Sequence, residues 1–291
     1  YYPWRGSSYS IKISHLMEES ILQYDFIVKG LLGAVFASIT AGLAGTYIVS
    51  KRMVFLSGGI THASFGGIGI GYFFSFNPVL GAAVFGILSA LGVEYLSVRQ
   101  KIREDSAIGI LWAFGMAIGI IFIYLTPGYT PNLMSYLFGS ILTVTNADII
   151  ALGIMSVVLI LYFGIFYRTI LYISFDESFA RTYSSYVNIF KYVTTALVAL
   201  TIVLNIRMAG VVLVLSLLTI PPNIAMIFTR VYLRIIVWSI IAGFIGTAAG
   251  YVISYFAGIP VGATIIFTLV ILWVLVKLGY QLTRDKRKDK R

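Results

Sequence analysis

Residues 51–72, KRMVFLSGGITHASFGGIGIGY, place a histidine in the middle of an apolar, glycine-rich stretch. Two cations, Lys51 and Arg52, begin the stretch, and His62 is one of only two histidines in the chain. A histidine at membrane depth is costly, so it indicates a site on a transport path. The other interpretation is a side chain that hydrogen-bonds a neighbouring helix and only packs. The stretch alone leaves both open.

The composition is that of a membrane protein. The 291 residues are 59% hydrophobic and 11% charged, with a mean hydropathy of +0.94, whereas soluble domains average about 25% charged residues. Apolar runs recur along the whole length, so we predict an all-α, polytopic bundle of transmembrane helices. The chain has no cysteine, which excludes disulfides and metal sites built from thiolates.

Eight or nine spans are predicted within a transmembrane domain at residues 26–277. Residues 1–25 would form an extracytoplasmic arm, with an amphipathic helix at the membrane interface as one option, and residues 278–291 a basic cytoplasmic tail. The count depends on residues 192–204, which are short for a crossing of about 20 residues. The sequence Asn205-Ile206-Arg207 interrupts the apolar run after them. The predicted spans are 26–49, 53–76, 79–98, 107–125, 149–167, 192–204, 209–228, 235–256 and 261–276.

Lysine and arginine predict the orientation. Seventeen of the 21 cations fall in the connections 50–52, 99–105, 168–191 and 229–234 and in the tail from residue 277. Cytoplasmic loops carry the excess of these residues. We therefore expect a multi-pass protein of the plasma or inner membrane with a cytoplasmic C-terminus. The charge-free segment 126–147 would then lie outside.

Several catalytic patterns are absent from the sequence. There is no GxxxxGK[ST], HExxH, GxSxG or CxxC, so the chain is expected to be neither an ATPase nor another enzyme, with no cofactor of its own. Paired carboxylates inside spans, the usual mark of an ion-coupled carrier, are also missing. The only acid well inside a span is Glu94. It is expected either to pair with Arg99 or Lys101 or to line an ion path.

Four segments together resemble the permeases of zinc and manganese ATP-binding-cassette importers. They stand in that family's order and cover residues 41–230 approximately. Each match is short, but the chain also has the length and the topology of the family. The segments are KRM…THAS at 51–64, LMSYLFGS at 133–140, FDESFAR at 175–181 and GVVLVLSLLTIPPNIA at 210–225.

The resemblance implies a type II importer-like permease that takes up a divalent zinc or manganese ion. It implies a homodimer in membrane lipid, two cytoplasmic subunits that bind and hydrolyse ATP, and an extracytoplasmic metal-binding protein; nucleic acid has no role. The ATPase movement would be received by Pro221, Pro222, Asn223 and Arg230. The two prolines are expected to end a helix there.

The same resemblance makes His62 the expected metal ligand. Many members carry an aspartate four residues before this histidine and another after the YLFG sequence, whereas this chain has Gly58 and Ser140. Without those carboxylates, the expected ligands are His62 from each of two copies, with Thr61, Ser64, backbone carbonyls of residues 58–59 and water. The expected path residues are Gly58, Thr61, Ser64, Ser140 and Glu94.

Other transport functions stay open at this point. A permease for a metal chelate such as haem, cobalamin or a siderophore would need a wide, uncharged path, which the missing carboxylates favour. A secondary metal carrier or channel that needs no ATP belongs to a different class of transporter. A membrane scaffold that transports nothing is a third alternative.

Overall fold

The computed structural model describes residues 25–127 and 144–288, with side chains for residues 28–127 and 144–283. The N-terminal arm with His15, the YLFG segment with Ser140 and the last three residues lie outside this range. Within the range, every regular element is an α-helix. In chain order the helices are α1 Asp25–Ser50, α2 Val54–Phe73, α3 Pro78–Arg99, α4 Glu104–Leu125, α5 Asn146–Ile165, α6 Tyr167–Phe175, α7 Glu177–Tyr183, α8 Val187–Phe228, α9 Tyr232–Ala257 and α10 Val261–Lys288.

The predicted all-helical membrane architecture is confirmed. Seven helices in the described ranges are long and apolar enough to cross a membrane, namely α1, α3, α4, α5, α8, α9 and α10. The 20-residue helix α2 is not among them, because its glycines and His62 lower its hydropathy. Nevertheless α2 is one of the most buried helices of the bundle, with 14 buried residues.

Helix α2 lies between α3 and α4 and touches both at the level of the backbone. Gly67 faces the backbone of Gly81 on α3, and Gly69 faces the backbone of Gly119 on α4. A Cβ atom at either position of α2 would run into its neighbour. Helices in lipid gain no hydrophobic energy by associating, so small residues that permit close backbone approach stabilise their packing. The glycine density of α2 therefore fits it to the interior of the bundle.

Helix α8 is broken at Gly210, which has φ 74° and ψ 163°. Only glycine adopts this backbone region without strain. We call residues 187–209 arm A and residues 211–228 arm B. The sequence had suggested an interruption at Asn205-Ile206-Arg207, but those residues are helical and the break follows them.

Arm B runs back in the direction opposite to arm A. Arg207, near the end of arm A, pairs with Asp148 at the start of α5. After the break, Val212 lines a cavity with Gly262 at the start of α10. Further along arm B, the cavity that reaches Arg230 also includes Lys277, late in α10. Arm B is therefore parallel to α10, and α8 is a helical hairpin that turns at Gly210.

The bundle has two chemically different ends. Lys51, Arg52, Glu177 and Arg230 line one cavity, and we call this the basic end. The opposite end carries Asp148 and the turn at Gly210. Both arms of α8 have their far termini at the basic end, which places the 167–186 region, with α6 and α7, there as well.

The prediction that Pro221 and Pro222 end a helix was wrong. Both prolines lie inside arm B, and the helix continues to Phe228. A proline has no N–H to donate, so the carbonyl of Leu218, four residues before Pro222, lacks its helical donor. Gly45 of α1 lies directly against this carbonyl. The prolines thus shape the contact between α8 and α1, and a glycine on α1 provides the room.

We expect Gly67→Ala to destabilise the protein by about 1–3 kcal/mol, the usual cost of overpacking, because the new methyl group would meet the backbone of α3. Thermal unfolding in detergent would measure the change. Gly109→Ala is the matched control, since a Cβ at this helical position meets no atom within 4 Å. A Gly67→Ala variant as stable as Gly109→Ala would contradict the backbone contact.

Candidate functional site

His62 lies on the side of α2 that faces α4. Its imidazole ring stacks on the indole ring of Trp112, with the ring centroids 4.3 Å apart and the planes inclined by 7°. Both residues are half-buried. Most of α2 is enclosed by its neighbours, so this half-open position is where the helix offers a metal-ligating side chain to the surface of the bundle.

Gly58, one helical turn before His62, borders the same indole. A Cβ at Gly58 would lie 3.7 Å from the Trp112 ring and 3.9 Å from Leu215 of arm B. The glycine thus leaves space for a Cβ, but a longer side chain would meet the indole. The structure therefore brings together Gly58, His62 and Trp112, and the sequence had given no reason to single out Trp112.

Thr61 and Ser64 do not share this position. Both side chains are buried. The Thr61 hydroxyl donates to the carbonyl of Ser57, and the Ser64 hydroxyl donates to the carbonyl of Ile60 at 2.7 Å. Ser64 also faces Gly86 of α3. These two predicted path residues point into helix contacts, away from the half-open side with His62 and Trp112.

Arm B contributes polar side chains that the sequence analysis did not include among the path residues. Ser216, Thr219 and Asn223 follow one another at helical spacing, and each donates to the carbonyl of the residue four positions earlier. Ser216 and Thr219 are half-buried, and Asn223 is exposed. Leu215, beside Gly58, connects this row to the His62 site. The signal in the sequence was the polar spacing i, i+3, i+7 within an apolar run.

The metal-binding capacity of the described residues is small. Residues 25–127 and 144–288 contain no group of three or more His, Cys, Asp or Glu side chains that could enclose an ion. The ion pairs of the described residues join other side chains, and none of them links His62 to a carboxylate. Ser140, the other position where a carboxylate was expected, lies outside the described residues.

Glu94 is held in an ion pair, but not with the expected partner. Its side chain is 1% exposed and pairs with Lys191 of arm A instead of Arg99 or Lys101. The Lys191 ammonium also lies 3.1 Å from the Glu177 carboxylate of α7, and Arg181 binds Glu177 at 2.7 Å. The sequence neighbours could not identify Lys191, because the contact joins two helices far apart in the chain.

The basic end contains a cavity of about 620 Å³. Lys51, Arg52 and Arg230 line it together with Glu177. The Lys51 amine is buried and has no hydrogen-bond partner among the described residues. Burial lowers the pKa of Lys51 from its usual value, while the carboxylates of Glu104 and Glu177 act to raise it. The cavity thus has an excess of positive charge.

The four predicted ATPase-coupling residues differ in their exposure. Pro221 and Pro222 are buried, whereas Asn223 and Arg230 are exposed. Near them, at the basic end, a group of large apolar side chains is also exposed. It consists of Phe175, Phe179, Tyr183 and Tyr186.

The site is thus a half-open histidine on an otherwise enclosed helix of a membrane bundle. The comparison with known proteins specifies the class. Residues 23–279 match the model of the ABC 3 transport family, so the chain belongs to that family.

Individual relatives cover nearly the whole chain. The membrane protein slr2045 of Synechocystis sp. is 37% identical over 95% of this chain and 98% of its own length. The manganese transport system membrane protein MntC of Listeria monocytogenes is 30% identical, with 90% and 94% covered. The solved structure of PsaBC from Streptococcus pneumoniae in complex with Fab is similar with a TM-score of 0.79 and 26% identity, over 91% of this chain and 95% of that one.

We expect Lys191→Met to cost about 3–5 kcal/mol, because it would leave the Glu94 carboxylate buried without a counter-ion. Glu94→Leu should cost less, since Lys191 keeps Glu177 as its partner. The double variant should recover most of the stability lost in Lys191→Met. Denaturant unfolding in detergent would compare the three, and equal stability of Lys191→Met and the double variant would contradict the pairing.

Proposed function

We propose that the chain is the membrane permease of an ATP-binding-cassette importer for a divalent transition metal ion, zinc or manganese. The observation that carries the proposal is the half-open His62 on a glycine-rich helix at the centre of a bundle of this family. The name of the Listeria relative, a manganese transport system membrane protein, supports a metal as the cargo.

His62 would act as a transient ligand on the path. An imidazole nitrogen is a good donor for zinc and for other transition metals. A path must bind its ion strongly enough to admit it and weakly enough to release it. A site with one nitrogen donor from each copy and no carboxylate meets the second requirement, and the polar row Ser216, Thr219 and Asn223 would accompany the ion towards the basic end.

A second copy of the chain would complete the path. His62 and Trp112 lie at the surface of the single bundle, and a path for an ion needs a wall on its open side. Most of the apolar length of helices α4 and α10 is left uncovered within one chain. Their uncovered sides are apolar, so a second copy and lipid are the surroundings that suit them.

ATP would be bound by two partner subunits at the basic end. The exposed group Phe175, Phe179, Tyr183 and Tyr186 is a large apolar surface beside ionic residues, which is typical of a protein interface. Asn223 and Arg230, also exposed, would extend this interface. Movement there would reach the path through arm B and through the ion pairs of α7 with Lys191.

We further propose nine crossings, with the basic end in the cytoplasm. The hairpin of α8 supplies two crossings, and α2 adds one that its hydropathy conceals. The basic end carries most of the cations of the connections, which agrees with the positive-inside rule. The C-terminus would then be cytoplasmic and the N-terminal arm outside.

A permease for a metal chelate is the second candidate. The shortage of carboxylates around His62 favours it, because a chelate brings its own ligands. An ATP-independent carrier is disfavoured by membership of the ABC 3 transport family. Stimulation of the ATPase by free Zn²⁺ or Mn²⁺ with the binding protein, and not by haem, cobalamin or a siderophore, would decide for the ion.

Single cysteines would test the crossings, because the natural chain contains none. We expect cysteines at Ser185 and Thr229 to be shielded from an impermeant maleimide in intact cells, and one at Phe76 to react. Ser185 and Thr229 flank the α8 hairpin, so they must lie on the same side of the membrane. Labelling of only one of the two would contradict the hairpin as a double crossing.

We expect His62→Ala to slow metal uptake by about tenfold or more in proteoliposomes with the ATPase and binding protein, since a lost interaction of about 1.4 kcal/mol in the transition state is worth a factor of ten. Ser64→Ala is the matched control, because Ser64 faces α3. Uptake by His62→Ala at the natural rate would contradict the ligand role.

A further inference from the structure

The stack between His62 and Trp112 fixes how an ion meets the imidazole. Parallel rings 4.3 Å apart leave no room for an ion between them. The nitrogens of His62 lie at the edge of its ring, so an ion would approach in the plane of the imidazole. The indole thereby restricts the approach without blocking the donor atoms.

The indole also occupies the space from which a second ligand would come. Gly58 lies one turn from His62 on the same helix, and the Trp112 ring lies 3.7 Å from its would-be Cβ. An indole donates only through its ring N–H and offers no oxygen. On this side, an ion therefore meets neither a carboxylate nor space for a full shell of water.

The polar oxygens predicted for the path are, in the part of the chain that the structure describes, buried in helix contacts or held in an ion pair. The hydroxyls of Thr61 and Ser64 are buried and donate to their own helix. The Glu94 carboxylate is paired with Lys191. Among the described residues, the site thus offers nitrogen and few oxygens.

Zinc and manganese differ in the ligands that they accept. Zn²⁺ accepts imidazole and is stable with four ligands. Mn²⁺ binds nitrogen more weakly, stands at the low end of the affinity order for divalent ions, and suits carboxylate, carbonyl and water oxygens in six-fold geometry. A nitrogen donor with one side covered by an indole therefore suits zinc better.

We propose that Trp112 is a positioning residue that makes the His62 path select Zn²⁺ over Mn²⁺. The inference rests on the proposed function, and it concerns the choice between the two ions. Trp112 acts through His62 by holding its ring edge-on and by excluding oxygen ligands beside Gly58.

Competition transport would test the selectivity. Proteoliposomes with the ATPase and binding protein would be given Zn²⁺ and Mn²⁺ together, and the ratio of the two uptake rates would be compared among variants. We expect Trp112→Phe to keep the ratio, because a phenyl ring maintains the stack. Trp112→Ala should lower it by about tenfold, a change of about 1.4 kcal/mol.

A double variant gives the reciprocal result. Gly58→Asp combined with Trp112→Ala would place a carboxylate one turn from His62 in the space left by the indole. We expect Mn²⁺ uptake to rise and the ratio to fall below that of Trp112→Ala. An unchanged ratio in both Trp112→Ala and the double variant would overturn the inference.

Fluorescence tests the stack independently of transport and of any loss of activity. The chain has four tryptophans, so Trp4, Trp238 and Trp273 would be changed to Phe to leave Trp112 as the only indole. Co²⁺, a spectroscopic probe for zinc sites, should quench Trp112, and His62→Ala should abolish the quenching. Equal quenching with and without His62 would overturn the positioning role.

The two levels of the proposal fail differently. Absence of ATP-dependent uptake of either ion by the natural chain would contradict the proposed function. Uptake of both ions with a ratio that does not respond to Trp112 would leave that function intact and refute the selectivity.

Discussion

Backbone-to-backbone contact around α2 is the constraint on which the rest of the bundle depends. Gly67 against Gly81 and Gly69 against Gly119 bring three helices closer than larger side chains would allow. A helix so enclosed has few positions open to the surface. His62 is one of them, and it is open because Trp112, rather than another backbone, covers its ring. The packing that makes α2 rigid therefore also determines where a ligand can stand.

The sequence predicted the features that depend on local composition. Apolar runs gave the helical membrane class, and the costly histidine directed attention to α2. The same glycines that pack α2 lower its hydropathy, so hydropathy alone does not identify this helix as a membrane crossing. In α2, glycine weakens the hydropathy signal in the sequence but permits close packing in the folded bundle. The resemblance to the importer permeases indicated α2 independently, through the KRM…THAS segment.

The features that were missed depend on contacts between distant parts of the chain. Lys191 stands far from Glu94 in sequence, and only the reversal and packing of α8 bring it there. Trp112 is an ordinary aromatic residue in an apolar helix until its ring is seen on His62. Pro221 and Pro222 predicted a helix end. Arm B nevertheless continues through both prolines, and Gly45 leaves room at the Leu218 carbonyl. In each case tertiary packing overrides the local signal.

The ionic groups and the proposed path lie in different parts of the bundle. Charges are concentrated at the basic end, where Lys191 joins α3 to α7, whereas the His62 ring is covered by the indole of Trp112. On the proposed path, a strong ion site at His62 would hold its cargo, whereas strong ion pairs at the basic end would hold helices together while they move. The proposed transport would thus combine weak ion binding on the path with strong ion pairs at the end where the movement of the ATPase subunits enters.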